Sequence, residues 1–318
     1  MLPYIDVHHH IMPDFYVEAV GVPAITDQAP RFARAALNWT IEHSLAEMGA
    51  NHVAAALLSL SAPGLRVDSP KAAAALARRC NDHMAELVRR HPDQLGFFAT
   101  LPLPDVPASL AEIQHALDTL NTDGIGLFSC YGNRYLGDPA FDPVFAALND
   151  HGATVFVHPN VSDICRQLMP DYPVSILEFP LDTTRTVLSL LYSGVFSRYP
   201  NVRFIFSHAG GATPFLAHRL RRLENQEEFL DRVPGGAMPW LQRQFYDTAL
   251  SANPPALAAL QAFVPSSQIL YGSDFPFAVG MMPKTIAGLD AHPMPPPDRQ
   301  AIAHENALSL FPRFSTAL

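Results

Sequence analysis

Asp6-Val7-His8-His9-His10 closes an apolar stretch near the N-terminus, and its histidines are spaced for metal chemistry. Side chains on a strand alternate faces, so Asp6, His8 and His10 are expected on one face and His9 on the other, between strand and helices. Two imidazoles two residues apart at a strand end can bind one cation. Three further apolar runs lead into polar groups able to join them: Thr154–Val157 into His158, Phe204–Ser207 into His208, and Ile269–Ser273 into Asp274. Nitrogen and carboxylate oxygen without thiolate suit Zn2+ or Mn2+. His8, His10, His158 and Asp274 would supply four ligands and leave a fifth position for water or substrate. His208 would then stand beside the metal as a general acid/base.

Such a site needs elements that bring distant strand ends to one place. Short apolar runs predict strands over Tyr4–His8, Val53–Leu60, Gly96–Leu101, Gly124–Phe128, Thr154–His158, Arg203–Ser207, Gln244–Ala249 and Gln268–Tyr271. Most are nearly all apolar, as parallel strands buried on both faces are. Helical patterns occupy Asn38–Glu47, Lys71–His91, Ser109–Leu120, Asp142–Asp150, Asp182–Phe196, Pro214–Asp231, Pro255–Phe263 and Pro297–Leu310. Several open on proline or a capping side chain. This alternation predicts one (β/α)8 TIM barrel over residues 1–318, in which strands 1, 5, 6 and 8 converge on one rim. A doubly wound sheet competes, but no GxGxxG or P-loop follows any strand. Pro13–Leu37, Pro159–Pro180 and Phe275–Pro297 are read as long rim loops.

Composition narrows the function. The chain has 318 residues, 48% hydrophobic and 16% charged, with a net charge of −9. That excludes disorder and gives a nucleic-acid surface no electrostatic support. No apolar run is long enough to span a membrane, and the N-terminus has no secretory pattern. Cys80, Cys130 and Cys165 are few and scattered, so a disulfide framework is not expected and a reduced, cytoplasmic compartment is. Cys130 and Cys165 are read as bystanders. The 14 histidines are informative through their placement at strand ends, not their number.

The motifs Ile5–His10, Val157-His158-Pro159, Ser207–Gly211 and Gly272–Pro276 resemble those of the metal-dependent decarboxylase branch of the amidohydrolase superfamily. That branch includes aminocarboxymuconate-semialdehyde, resorcylate and 6-methylsalicylate decarboxylases. The stretches Phe179–Arg185 and Tyr246–Pro254 look closest to the 6-methylsalicylate group. The resemblance covers essentially the whole chain and implies an amidohydrolase-type barrel. It implies that His8, His10, His158 and Asp274 are metal ligands and His208 the catalytic histidine. His8 stands where manganese-using resorcylate enzymes carry glutamate, which favours zinc over manganese. No lysine stands in Phe128-Ser129-Cys130, so one metal is expected rather than two.

The resemblance also implies that Arg219 reaches a neighbouring subunit's site and holds a substrate carboxylate, which presupposes a homodimer. Bidentate arginine suits that task. Arg185 and Arg34 are weaker candidates. Phe275, with Phe179 and Phe277, is a candidate wall for a planar substrate, and Asp6 could orient a ligating histidine. The function expected is non-oxidative decarboxylation of a small aromatic or unsaturated carboxylic acid, such as an ortho-hydroxybenzoate. His208 or Asp274 would protonate the carbon that bears the carboxylate. Metal-dependent hydrolysis of an amide, lactone or C–C bond is the alternative, and a non-enzymatic metal-binding barrel a more distant one.

Overall fold

Eight parallel strands form a barrel in the computed structural model, which describes residues 2–28, 32–168, 172–277 and 280–317. The strands are β1 (Tyr4–His10), β2 (Val53–Ser59), β3 (Leu95–Thr100), β4 (Gly124–Phe128), β5 (Thr154–His158), β6 (Arg203–Phe206), β7 (Phe245–Asp247) and β8 (Ile269–Leu270). Each pairs with the next in chain order. The β8–β1 seam is closed mainly beyond the short β8. Val7 N–H donates to Tyr271 O (3.0 Å), Asp274 N–H to His8 O (2.9 Å) and His10 N–H to Phe275 O (2.7 Å). The seam therefore runs through the chain segments that carry His8, His10 and Asp274.

Apolar residues fill both faces of the strands. Ile5, Val7, Ala55, Leu57, Phe98, Phe156, Ile205 and Leu270 pack together inside the barrel. Phe97, Leu127, Val155 and Phe204 belong to the layer between strands and helices. The C-terminal residues Leu310, Phe311 and Phe314 join the inner cluster and plug the barrel's N-terminal end. Arg313 fastens them there, bonding Leu95 O (2.9 Å) and the Asp123 carboxylate (2.6 and 2.7 Å).

The helices follow the expected order with shifted ends. The helix expected from Asn38 starts at Ile41, where the Thr40 hydroxyl accepts from His43 N–H (3.2 Å). The helix expected from Asp182 runs over Val174–Tyr192 and passes through Pro180. Proline usually marks a boundary, which is why the pattern read as starting later. Within the helix the Thr184 hydroxyl donates to the Pro180 carbonyl (2.8 Å). The stretch Pro214–Asp231 is not one helix. It divides into Thr213–Leu220, a 3-10 turn Arg221–Asn225 and Glu227–Arg232, with extended backbone at Gln226. All three rim loops contain helix: Asp14–Val20, Val22–Gln28 and Phe32–Ala36 in the first, Asp163–Leu168 in the second, Met281–Ala291 in the third. Residues 29–31, 169–171 and 278–279 of these loops lie outside the described residues.

Candidate metal centre and active site

Register decides which way the β1 histidines point. Asp6 faces Ala56 and His9 faces Leu58, so three steps on β1 match two on β2. This bulge reverses the alternation. Ile5 and Val7 point into the barrel, and so do His8 and His10 beyond the bulge. The expectation that Asp6 shares their face is corrected. Asp6 turns away to His9 Nδ1 (3.1 Å) and to the Ser273 hydroxyl (2.5 Å), and it accepts from His8 N–H and Ser273 N–H (both 3.0 Å). His9 bonds Ser44 Oγ (2.9 Å) and stacks on Phe275. Asp6 thus orients the backbone on either side of the seam.

His8, His10, His158 and Asp274 meet at the C-terminal rim, with one donor atom from each within 4.8 Å of the others. His8 Nε2 lies 3.0 Å from His10 Nε2, and Asp274 Oδ1 lies 3.4 and 3.3 Å from these two. Donors ~2.1 Å from one tetrahedral centre lie roughly 3.4 Å apart. Two ring nitrogens facing one another at 3.0 Å repel unless a proton or a cation lies between them. The donor set therefore fits a divalent metal ion.

Each ring is oriented through its other nitrogen. His8 Nδ1 bonds Asp247 Oδ2 (2.8 Å), His10 Nδ1 bonds Ser59 Oγ (3.0 Å), and His158 Nδ1 donates to Pro159 O (2.8 Å). This leaves all three Nε2 atoms for the centre. Asp247 also accepts from His208 N–H (2.9 Å) through its other oxygen, which ties the His208 backbone to the His8 ring. Sequence reasoning missed Asp247 and Ser59. Asp247 was detectable as a carboxylate at the end of β7, whereas a serine after an apolar run gives no signal.

Electrostatics match this packing. Burial pushes the His8 pKa down, but the Asp247 and Asp274 carboxylates outweigh it and raise it to about 10. Burial lowers His10 to about 4 and holds His158 well below the usual histidine range. Burial alone would raise Asp274, but hydrogen bonds from His10, His208 and His8 hold it well below the usual carboxylate range. His208 Nε2 lies 3.6 Å from Asp274 Oδ2, and its buried Nδ1 has no hydrogen-bond partner among the described residues. His208, Ala209 and Asp274 adopt left-handed backbone, with φ of 54°, 56° and 61°. Such strain clusters at functional sites and costs of order 1–3 kcal/mol per residue.

A cavity of about 470 Å³ opens onto His158, His208 and Asp274. Its walls include Phe179 and Pro180 from the helix Val174–Tyr192, Leu250 beyond β7, and Phe277. The placement of Phe275 in the substrate wall is corrected. Its ring is only 6% exposed and packs between His9 and His43, and Phe277 lines the cavity instead. Arg219 is exposed on the helix Thr213–Leu220 and does not line its own chain's cavity. Arg185 is engaged by Glu178 (3.1 Å) and Asp182 (3.7 Å). Arg34 is exposed on the short helix Phe32–Ala36. Cys130 is buried, bonding Asn160 O, and burial raises its thiol pKa.

Residues 5–313 match the family model described as amidohydrolase. The chain is 37% identical to the decarboxylase yanB of Aspergillus niger over 326 residues, covering 98% of this chain and 88% of the relative. It is 37% identical to the 6-methylsalicylic acid decarboxylase of Penicillium expansum over 329 residues, covering 99% and 98%. A solved 5-carboxyvanillate decarboxylase from Novosphingobium aromaticivorans, with bound manganese, has the same fold. Its TM-score is 0.86 at 22% identity, over 98% of this chain and 97% of that one.

Proposed function

We infer that this chain, which belongs to the amidohydrolase family and is a decarboxylase of a small aromatic or unsaturated carboxylic acid, acts on ortho-hydroxybenzoates of the 6-methylsalicylate kind. The observation that carries this reading is the convergence of His8, His10, His158 and Asp274 beneath a cavity that also holds His208. The relatives named are decarboxylases, and the hydrolase alternative has no support among them.

The four convergent residues would hold the metal ion. When bound, the ion supplies a Lewis acid for the substrate carboxylate and the adjacent hydroxyl. The chain's own groups do the rest. His208 Nε2 and Asp274 Oδ2, 3.6 Å apart, form the pair that delivers a proton to the ring carbon bearing the carboxylate. The C–C bond then breaks, its electrons return to the ring, and CO2 leaves. Phe179 and Phe277 exclude water and flank the ring.

His8, in place of an acidic first ligand, supports zinc as the native metal over manganese. Residues 1–318 act as one barrel domain, and three unpaired cysteines support a cytoplasmic setting. Arg219 would hold a substrate carboxylate in the site of a partner subunit, in a homodimer. Phe215, 84% exposed one turn before Arg219, offers apolar surface for that contact. The test is CO2 release from a panel of hydroxybenzoates by zinc- and manganese-loaded enzyme, beside acid release from lactones and amides. CO2 from ortho-hydroxybenzoates supports the reading. Hydrolysis without any CO2 would overturn it.

A further inference from the structure

Two large apolar side chains that line the active-site cavity are about half exposed. Ile176 is 55% exposed and Leu250 is 46% exposed. Leu250 also sits in left-handed backbone, at φ 53°, a conformation that asparagine or glycine adopts far more readily. A strained, half-exposed leucine contributes little to stability, so its position is explained better by what it faces than by what it packs on. Near Ile176 the wall continues with Phe179 and Pro180, and Met281 adds to it from another element. Apart from Asp274 and the two histidines, the described lining carries no charged group, and its polar side chains are serines.

We propose that Ile176 and Leu250 are specificity-determining residues that read an alkyl substituent on the substrate ring. This rests on the decarboxylase reading above. The substrate class becomes ortho-hydroxybenzoates with one carboxylate and an alkyl group, in preference to dihydroxybenzoates of the same shape. The reason is desolvation. A methyl group against Ile176 and Leu250 removes apolar surface from water on both sides. A hydroxyl in the same place loses its water partners against the carbon surface of Ile176 and Leu250 and regains one only by reaching the flanking serines Ser175 or Ser251. A single methyl in a hydrophobic pocket is worth roughly 10- to 200-fold in kcat/KM.

The test compares 6-methylsalicylate with 2,6-dihydroxybenzoate on the metal-loaded parent, Leu250→Asn and Ile176→Thr. Asparagine accepts the left-handed backbone and threonine keeps the β-branch, so both variants should fold, and metal content with thermal melting checks this. The parent should favour the methyl compound by about tenfold or more. Each variant should lower that ratio several-fold by losing efficiency on the methyl compound alone, with the double variant furthest. Equal losses on both substrates, or an unchanged ratio, would overturn the proposal while leaving the decarboxylase reading intact. CO2 from neither compound, nor from any other hydroxybenzoate, would overturn both.

Discussion

At the scale of single residues, the centre separates groups that would hold the metal from the group beside it. His10→Ala removes one of four convergent donors, and His208→Ala removes none. The first variant is expected to lose bound metal, measured by elemental analysis of dialysed protein. The second is expected to keep it and to lose about 10²- to 10⁴-fold in turnover. Full metal in the first would overturn the ligand assignment. The pH dependence follows from His8. Its carboxylate neighbours raise it to about 10, whereas His10, at about 4, and His158 are neutral near pH 8. Metal must therefore displace the His8 proton, and affinity should rise up to tenfold per pH unit between about 7 and 9. Calorimetry in buffers of different ionisation enthalpy should find about one proton released per ion at pH 8. Release of none would show that Asp247 does not hold His8 protonated in the free site.

At the scale of elements, the bulge in β1 and the helix Val174–Tyr192 position the chemistry. The bulge turns two histidines inward after two apolar residues have already pointed inward. The helix brings Phe179 and Pro180 to the cavity, and Gly211 is what lets it approach. A Cβ on Gly211 would lie 2.0 Å from Pro180 O and 2.8 Å from Thr184 Oγ1, on backbone at φ +63°. Gly211→Ala should cost about 2–3 kcal/mol in urea unfolding and raise KM as the wall shifts outward. Unchanged stability would mean that the helix yields freely at this contact.

At the scale of the whole molecule, the C-terminus completes the barrel. Phe314 is fully buried in the interior cluster at the end opposite the metal centre. Phe314→Ala should cost about 3–5 kcal/mol without altering metal stoichiometry. An equal loss of metal binding would show that the two ends of the barrel are coupled. Oligomeric state is tested by sedimentation of the parent and of Phe215→Ser. The homodimer reading expects a dimer that weakens in the variant, and a monomeric parent would remove Arg219 from any partner's site.

The linear chain contained the eight apolar runs and the polar residues at the ends of four of them. These are local patterns, and a strand buried on both faces writes its apolar run directly into the sequence. They sufficed to expect a barrel and to name His8, His10, His158, His208 and Asp274. The orientation of Asp6 could not be read, because a bulge is a property of two paired strands and neither strand encodes it alone. Asp247 and Ser59 acquire their places only when β7 and β2 lie beside β1, since hydrogen bonds between distant residues leave no spacing to detect. Phe275 and Phe277 look alike in sequence, and only the packing of His9 and His43 assigns the first to the core and the second to the cavity. Chain-local chemistry named the donors, and long-range packing decided where each of them points.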